Sequence, residues 1–152
     1  LADRALMPYT DAVLHEILRF ADIVPMAVPH RTTRDVRLRG FTIPEGMDVL
    51  PLLCTAQADP GHFARPEAFD PGHFLDAGGR FRRSAAFMAF SAGKRVCPGE
   101  ALAMAELFLF LAAILQRFRL RAEEPAASID LSPEASGLGN VPRPYRLILE
   151  PL

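Results

Sequence analysis

No tryptophan occurs in this chain, and cysteine occurs only twice, at Cys54 and Cys97, far apart and outside any C-x-x-C arrangement. That argues against a disulfide framework and against a structural zinc site built on thiolates. The four histidines, His15, His30, His62 and His73, show no zinc-ligand spacing. Charge of either sign is not in excess: the net value is −1 over 152 residues, and no basic-and-aromatic array stands out, so no nucleic-acid partner is expected. Long hydrophobic runs are missing as well. The most apolar stretch, Ala101 to Leu115, carries Glu106 and falls short of the ~20 residues a membrane span needs, which makes it a core helix. No basic start followed by an apolar core marks a leader peptide. The chain opens on Leu1, with its first methionine at Met7 inside a helix start, which suggests a piece of something longer.

Half of the residues are apolar, and the length suffices for one domain with a real core. One stretch organises the rest: Phe90-Ser-Ala-Gly-Lys-Arg-Val-Cys97-Pro-Gly99, running straight into the apolar segment Glu100 to Phe118. Gly93 and Gly99 permit turns closed to other residues and a close approach of a flat ligand. The following helix offers free N–H groups and the positive end of its dipole, and two cations precede the sulfur; each favours a thiolate. A buried, unreactive cysteine is the competing reading of Cys97 taken alone.

These residues fit F-x-x-G-x-R-x-C-x-G at all five fixed positions, Phe90, Gly93, Arg95, Cys97 and Gly99. That pattern resembles the haem-ligand signature of the cytochrome P450 superfamily. The resemblance implies haem b (iron protoporphyrin IX) as cofactor, with Cys97 as the axial thiolate ligand of its iron. It implies that Arg95 pairs with a haem propionate and that Phe90 packs beside the loop.

Pro8 to Phe20 has proline at a plausible first helical position, with Tyr9, Val13, Ile17 and Phe20 at helical spacing. Glu16 and Arg19 share one face of it. As residues, such a pair is usually a solvated surface bridge; in the family it resembles the E-x-x-R motif, which implies a buried structural pair. Ala21 to Pro29 is apolar and broken by prolines, so an extended connector is expected. The resemblance implies that Val24, Met26, Ala27 and Val28 face the substrate and that His30 meets a propionate.

From Arg34 to Leu53 a period-two pattern with a Pro44-Glu-Gly46 turn predicts a small antiparallel sheet, with Cys54 at its end in a structural role. Thr55 to Ala89 should be coil pinned by Phe63, Phe69, Phe74, Phe81 and Phe87. Its Pro66 to Phe74 resembles the family's meander, which implies that His73 joins Glu16 and Arg19 as a third member. From Ala77 to Gly99 no acid occurs, while Arg80, Arg82, Arg83, Lys94 and Arg95 do. That run is either a solvated basic loop or a docking surface for an acidic donor protein. After Glu100 to Phe118, a helix expected to be buried on most faces and to end at the polar Gln116-Arg117, the chain turns loop-like beyond Arg121 and closes with a strand around Tyr145, Leu147 and Leu149. The turn Ser136 to Asn140 resembles the family's last substrate-contacting loop, which implies a contact from Leu138.

No internal repeat or low-complexity linker divides the chain. The expected fold is mainly α with a small antiparallel β part (α+β), residues 1–152 forming the C-terminal part of a single cytochrome P450 domain. The resemblance, closest to the animal microsomal branch, implies a monooxygenase of the endoplasmic reticulum membrane. Its anchor would lie outside this chain. It would insert one oxygen atom into an apolar xenobiotic, fatty acid or steroid-like substrate with electrons from NADPH–cytochrome P450 reductase or a cytochrome b-type donor. The alternatives are haem-thiolate chemistry without external electrons and a catalytically silent truncated product.

Overall fold

A computed structural model describes residues 1–125 and 128–152. Helix α1, Pro8–Ala21, begins with proline where a missing N–H costs nothing, and Asp11 in its first turn is held by Arg4 from a preceding 3-10 turn, Ala2–Leu6. It ends at Asp22, which adopts a left-handed conformation (φ 41°) and donates its N–H to the Leu18 carbonyl. One face, Ala12, Leu14, His15, Glu16 and Arg19, is buried.

That face separates two apolar clusters. Ala12 packs with Phe63, Phe74, Ala86 and Phe87, and Leu14 packs with Met104 and Phe108; Leu18 and Phe90 touch both. The coil from Thr55 to Ala89 is therefore pinned by rings as expected, but by three of the five: Phe63, Phe74 and Phe87 are buried, Phe81 is half-buried and Phe69 is exposed.

Among the described residues the β structure is three separate antiparallel pairs. His30–Arg31 (β1) pairs with Asp48–Val49 (β4), and Val36–Leu38 (β2) pairs with Phe41–Ile43 (β3) around Arg39 and Gly40, both at positive φ. The strand expected from Met47 to Leu53 stops at Val49. A short helix α2, Leu53–Gln57, takes over, so Cys54 lies in a helix and its N–H meets the Pro25 carbonyl. The connector is not extended either: Val24 to Ala27 form a turn closed by Ala27 N–H to Val24 C=O, with Ala27 at φ 51°.

Helix α3 runs Glu100–Leu115 and is capped by Gln116, ending at the polar Gln116-Arg117 pair as its sequence predicts; Phe118–Ala122 then forms strand β5 against the closing strand Leu147–Pro151 (β6), in register from Phe118↔Pro151 to Ala122↔Leu147. The helix is not buried on most faces, however. Met104 and Phe108 are buried, whereas Leu102, Leu109 and Phe110 are at least half exposed. The chain exposes 10965 Å², against about 7,600 Å² for a compact monomer of its mass, and part of that excess is this apolar outer face.

Candidate functional site

The loop before α3 is closed by its own backbone. Ser91 N–H bonds the Met88 carbonyl at 2.8 Å, Val96 N–H the Gly93 carbonyl at 3.2 Å, and Cys97 N–H the Phe90 carbonyl at 2.9 Å. Phe90, anchored in both core clusters, thereby fixes where Cys97 stands. Gly93 sits at φ 65°, where a side chain is strained; Gly99 sits at φ −86°, open to any residue, so the expectation of a glycine-only turn holds for Gly93 and not for Gly99. Ser91, though not glycine, is also at φ 65°. Cys97 is exposed, which removes the buried-cysteine reading.

The cations around it divide in two. Arg80 pairs with Asp76 at 2.9 Å and Arg83 with Glu100, in the first turn of α3, at 2.7 Å. Two of the five charges are thus met by acids just outside the run. Arg82, Lys94 and Arg95 are exposed and belong to no ion pair among the described residues.

Behind the loop, Glu16 and Arg19 form a buried fork, Nε to Oε2 at 2.7 Å and Nη2 to Oε1 at 2.8 Å. Arg19 also donates to the carbonyls of Gln57, Pro66 and Ala68, which uses all five of its N–H groups, and its guanidinium lies 5.1 Å from the Phe63 ring centre. Glu16 also accepts the Asp70 N–H at 2.8 Å. His73 lies with Nδ1 3.3 Å from both Glu16 oxygens and Nε2 on the Ala64 carbonyl.

The expected substrate-facing residues fall in two segments that touch. Val24 and Val28 are exposed, Met26 is half-buried and Ala27 is buried. Leu138 is exposed in a turn whose Asn140 donates its N–H to the Ile23 carbonyl at 2.9 Å and its Nδ2 to the Asp22 carbonyl at 2.8 Å. His30 is half-buried opposite Val49, and no hydrogen bond among the described residues joins it to the Cys97 loop.

Two buried polar residues had no sequence signal. Gln57 gives its Nε2 to the Asp22 carboxylate at 2.9 Å and accepts the Met88 N–H on Oε1 at 3.3 Å. Burial raises the Asp22 carboxyl above its usual range, opposed by that bond and by the charge of Arg19. His15 sits among the rings of Phe81, Phe87 and Phe74, with Nδ1 2.8 Å from the Asp11 carbonyl. Burial lowers its pKa, and only in part do Asp11's carbonyl and charge resist.

No group of three or more His, Cys, Asp or Glu among the described residues could hold a metal ion. The exposed Cys97 thiol, with the unpaired Arg95 two residues before it, would fit the sulfur donor and the propionate partner of a haem. Among the described residues no helix is long and apolar enough to cross a membrane.

The cytochrome P450 family model matches residues 1–149. The chain is 62% identical over 145 residues to cytochrome P450 2F3 of Capra hircus, covering 95% of this chain and 30% of that relative. It is 59% identical over 151 residues to cytochrome P450 2F1 of Homo sapiens (99% and 31%), and 52% identical over 147 residues to cytochrome P450 2B4 of Oryctolagus cuniculus (97% and 30%). The chain thus spans about three tenths of the length of the curated relatives it matches. With the match running through the buried ion pair, the meander and the cysteine loop alike, the chain belongs to the cytochrome P450 family, on its family-2-like branch.

Proposed function

We propose that the protein containing these residues is a haem-thiolate monooxygenase that inserts one oxygen atom from dioxygen into an apolar organic substrate, a xenobiotic, fatty acid or steroid-like molecule. In this reading residues 1–152 are the C-terminal part of one cytochrome P450 domain. The observation that carries it is the exposed Cys97 thiol at the head of α3, in a loop whose geometry is set by the Phe90 carbonyl.

Cys97 would hold haem b through iron, and Arg95, with His30, would meet the propionates. Phe90 and Gly93 keep the loop in its turn, and Gly99 leads it into α3. When bound, the haem supplies activation of dioxygen, which a thiolate ligand favours. The protein's own part is positional. Cys97 stands just before the start of α3, whose positive dipole end favours a thiolate, and Glu16, Arg19 and His73 hold the meander against α1. Val24, Val28 and Leu138 present apolar side chains for the substrate, with Met26 and Ala27 shaping the turn between them.

Electrons would come from NADPH–cytochrome P450 reductase, or from a cytochrome b-type donor, docked on the surface bearing Arg82, Lys94 and Arg95. Residence at the endoplasmic reticulum membrane follows the same family reading.

The test is a haem titration of the chain, then dithionite reduction and carbon monoxide, beside Cys97→Ala. A strongly red-shifted Soret band in the parent and its absence in the variant are expected. A histidine-type spectrum, unchanged by the substitution, would overturn the assignment of Cys97.

A further inference from the structure

Between the turn carrying Leu138 and the loop carrying Cys97 runs a hydrogen-bonded connection with a single side chain at its centre. Asn140 holds the backbone of Asp22 and Ile23 at 2.8 and 2.9 Å. Asp22 accepts from Gln57 at 2.9 Å. Gln57 accepts from the Met88 N–H at 3.3 Å; the Met88 carbonyl accepts from Ser91 at 2.8 Å, and the Phe90 carbonyl between them accepts from Cys97 at 2.9 Å. Gln57 is 2% exposed, so water does not compete for either end of its amide. Its own backbone is fixed independently: Arg19 Nη1 bonds its carbonyl at 2.9 Å, which seats α2 on the buried ion pair. A primary amide suits this place because it must donate on one side, to a carboxylate, and accept on the other, from a backbone N–H.

We propose that Gln57 is a positioning residue that sets the Cys97 loop relative to the segment Asp22 to Val28 and the turn at Leu138, so that a displacement at one is felt at the other. The proposal deepens the functional reading above, in that the two ends are taken as thiolate ligand and substrate-facing surface; the coupling itself needs no haem. It differs from the role of Glu16 and Arg19: Arg19 donates to Glu16 and to the carbonyls of Gln57, Pro66 and Ala68, Glu16 also accepts the Asp70 N–H, and neither makes a bond to the stretch from Met88 to Cys97 among the described residues.

The donor and acceptor at Asp22 and Gln57 can be exchanged, which supplies a test. In Gln57→Glu two carboxylates face each other and the Asp22 arm is lost, while the acceptor for Met88 remains. Adding Asp22→Asn restores the bond with its direction reversed. The readouts, on the full chain, are amide hydrogen exchange at Met88, Cys97 and Asn140, and the alkylation rate of the exposed Cys97 thiol. Gln57→Leu is expected to speed exchange at Met88 by about five-fold, the worth of one net hydrogen bond, and to change the alkylation rate. The exchanged pair should return both toward the parent values. Asn140→Ala should alter Cys97 alkylation in the parent and not in the Gln57→Leu background, as a double-mutant cycle requires of a coupling residue.

Uniform acceleration at every amide, or an Asn140→Ala effect of the same size in both backgrounds, would overturn the proposal. So would failure of the exchanged pair to recover either readout. A normal coupling result with no thiolate spectrum in the haem titration would retire the haem reading and leave the coupling standing.

Discussion

Arg19 and Glu16 lie one turn apart on α1 and bind each other through both arms of the fork, at 2.7 and 2.8 Å, with neither side chain more than 2% exposed. What makes the pair stable is the rest of the arginine: three further N–H groups close on carbonyls from α2 and the meander. A fork alone would not repay the desolvation of two buried charges.

Arg19→Lys keeps the charge and loses the geometry. An ammonium has three donors, so at least two of the five bonds disappear. Removing one partner outright, as in Glu16→Gln, leaves an uncompensated buried charge and should cost about 3–5 kcal/mol. Urea unfolding checks both; a midpoint unchanged by Glu16→Gln would contradict the buried-pair account.

His15 predicts a pH dependence with a definite sign. Its pKa in the folded chain lies below the ordinary 6.5, chiefly because burial penalises the imidazolium, with the charges of Arg4 and Arg83 adding to it. Below about 6.5 the unfolded chain therefore binds a proton that the folded chain refuses, and stability falls as pH drops through that value until the folded-state pKa is passed. Thermal unfolding between about pH 7 and pH 5 should show this fall, and His15→Asn should flatten it. Asp22 acts in the opposite sense at more acid pH: its carboxyl is raised from 3.8, so its contribution falls as pH rises through that region.

The two glycines of the cysteine loop should respond differently. Gly93→Ala places a side chain at φ 65°, a strain of about 1–2 kcal/mol, only partly offset by the ~0.5–1 kcal/mol of backbone freedom that glycine loses on folding, so a net cost below about 1 kcal/mol is expected. Gly99→Ala adds a methyl 3.7 Å from the Cys97 sulfur at φ −86°, an ordinary contact, and should leave unfolding nearly unchanged. Denaturant midpoints of the two variants give the comparison directly.

If the basic surface docks an acidic donor, reversing its unpaired charges matters more than reversing a paired one. Arg82→Glu with Lys94→Glu should slow association with the reductase by about tenfold at low salt, with little effect at high salt. Arg80→Glu alone, whose partner Asp76 lies at 2.9 Å, should act mainly by breaking that local pair. Equal rates for the doubly reversed variant and the parent, at low ionic strength, would rule out this face.

The cysteine loop was legible because its information is local: five positions within ten residues. The helices at Pro8 and Glu100 were legible for the same reason, from proline placement and apolar composition. What the spacing of Glu16 and Arg19 did not reveal was the donor count, since the accepting carbonyls belong to coil residues Gln57, Pro66 and Ala68, whose positions depend on the whole fold. Strand β5 was masked by its neighbour. Phe118, Leu120 and Ala122 do alternate with Arg119 and Arg121, but an apolar helix pattern running into Phe118 competes for the same residues. Helix α2 spans five residues, too few for a 3.6-residue period to register. Gln57 had no signal at all: one glutamine between two alanines becomes distinctive only once Asp22 and Met88 are brought to its two ends.

Ala27 and Ser91, at φ 51° and 65°, hold left-handed backbone conformations with side chains attached, one in the segment proposed to meet substrate and one in the cysteine loop. Each such residue costs about 1–2 kcal/mol, and glycine in its place would relieve that while adding back about 0.5–1 kcal/mol of backbone freedom to be lost on folding. Melting temperature would therefore change little. What a glycine would take away is single-valuedness: the unreplaced residues tolerate the left-handed bend only because the surrounding contacts allow no other path, whereas glycine would accept several, and the distance between the two segments would become a distribution.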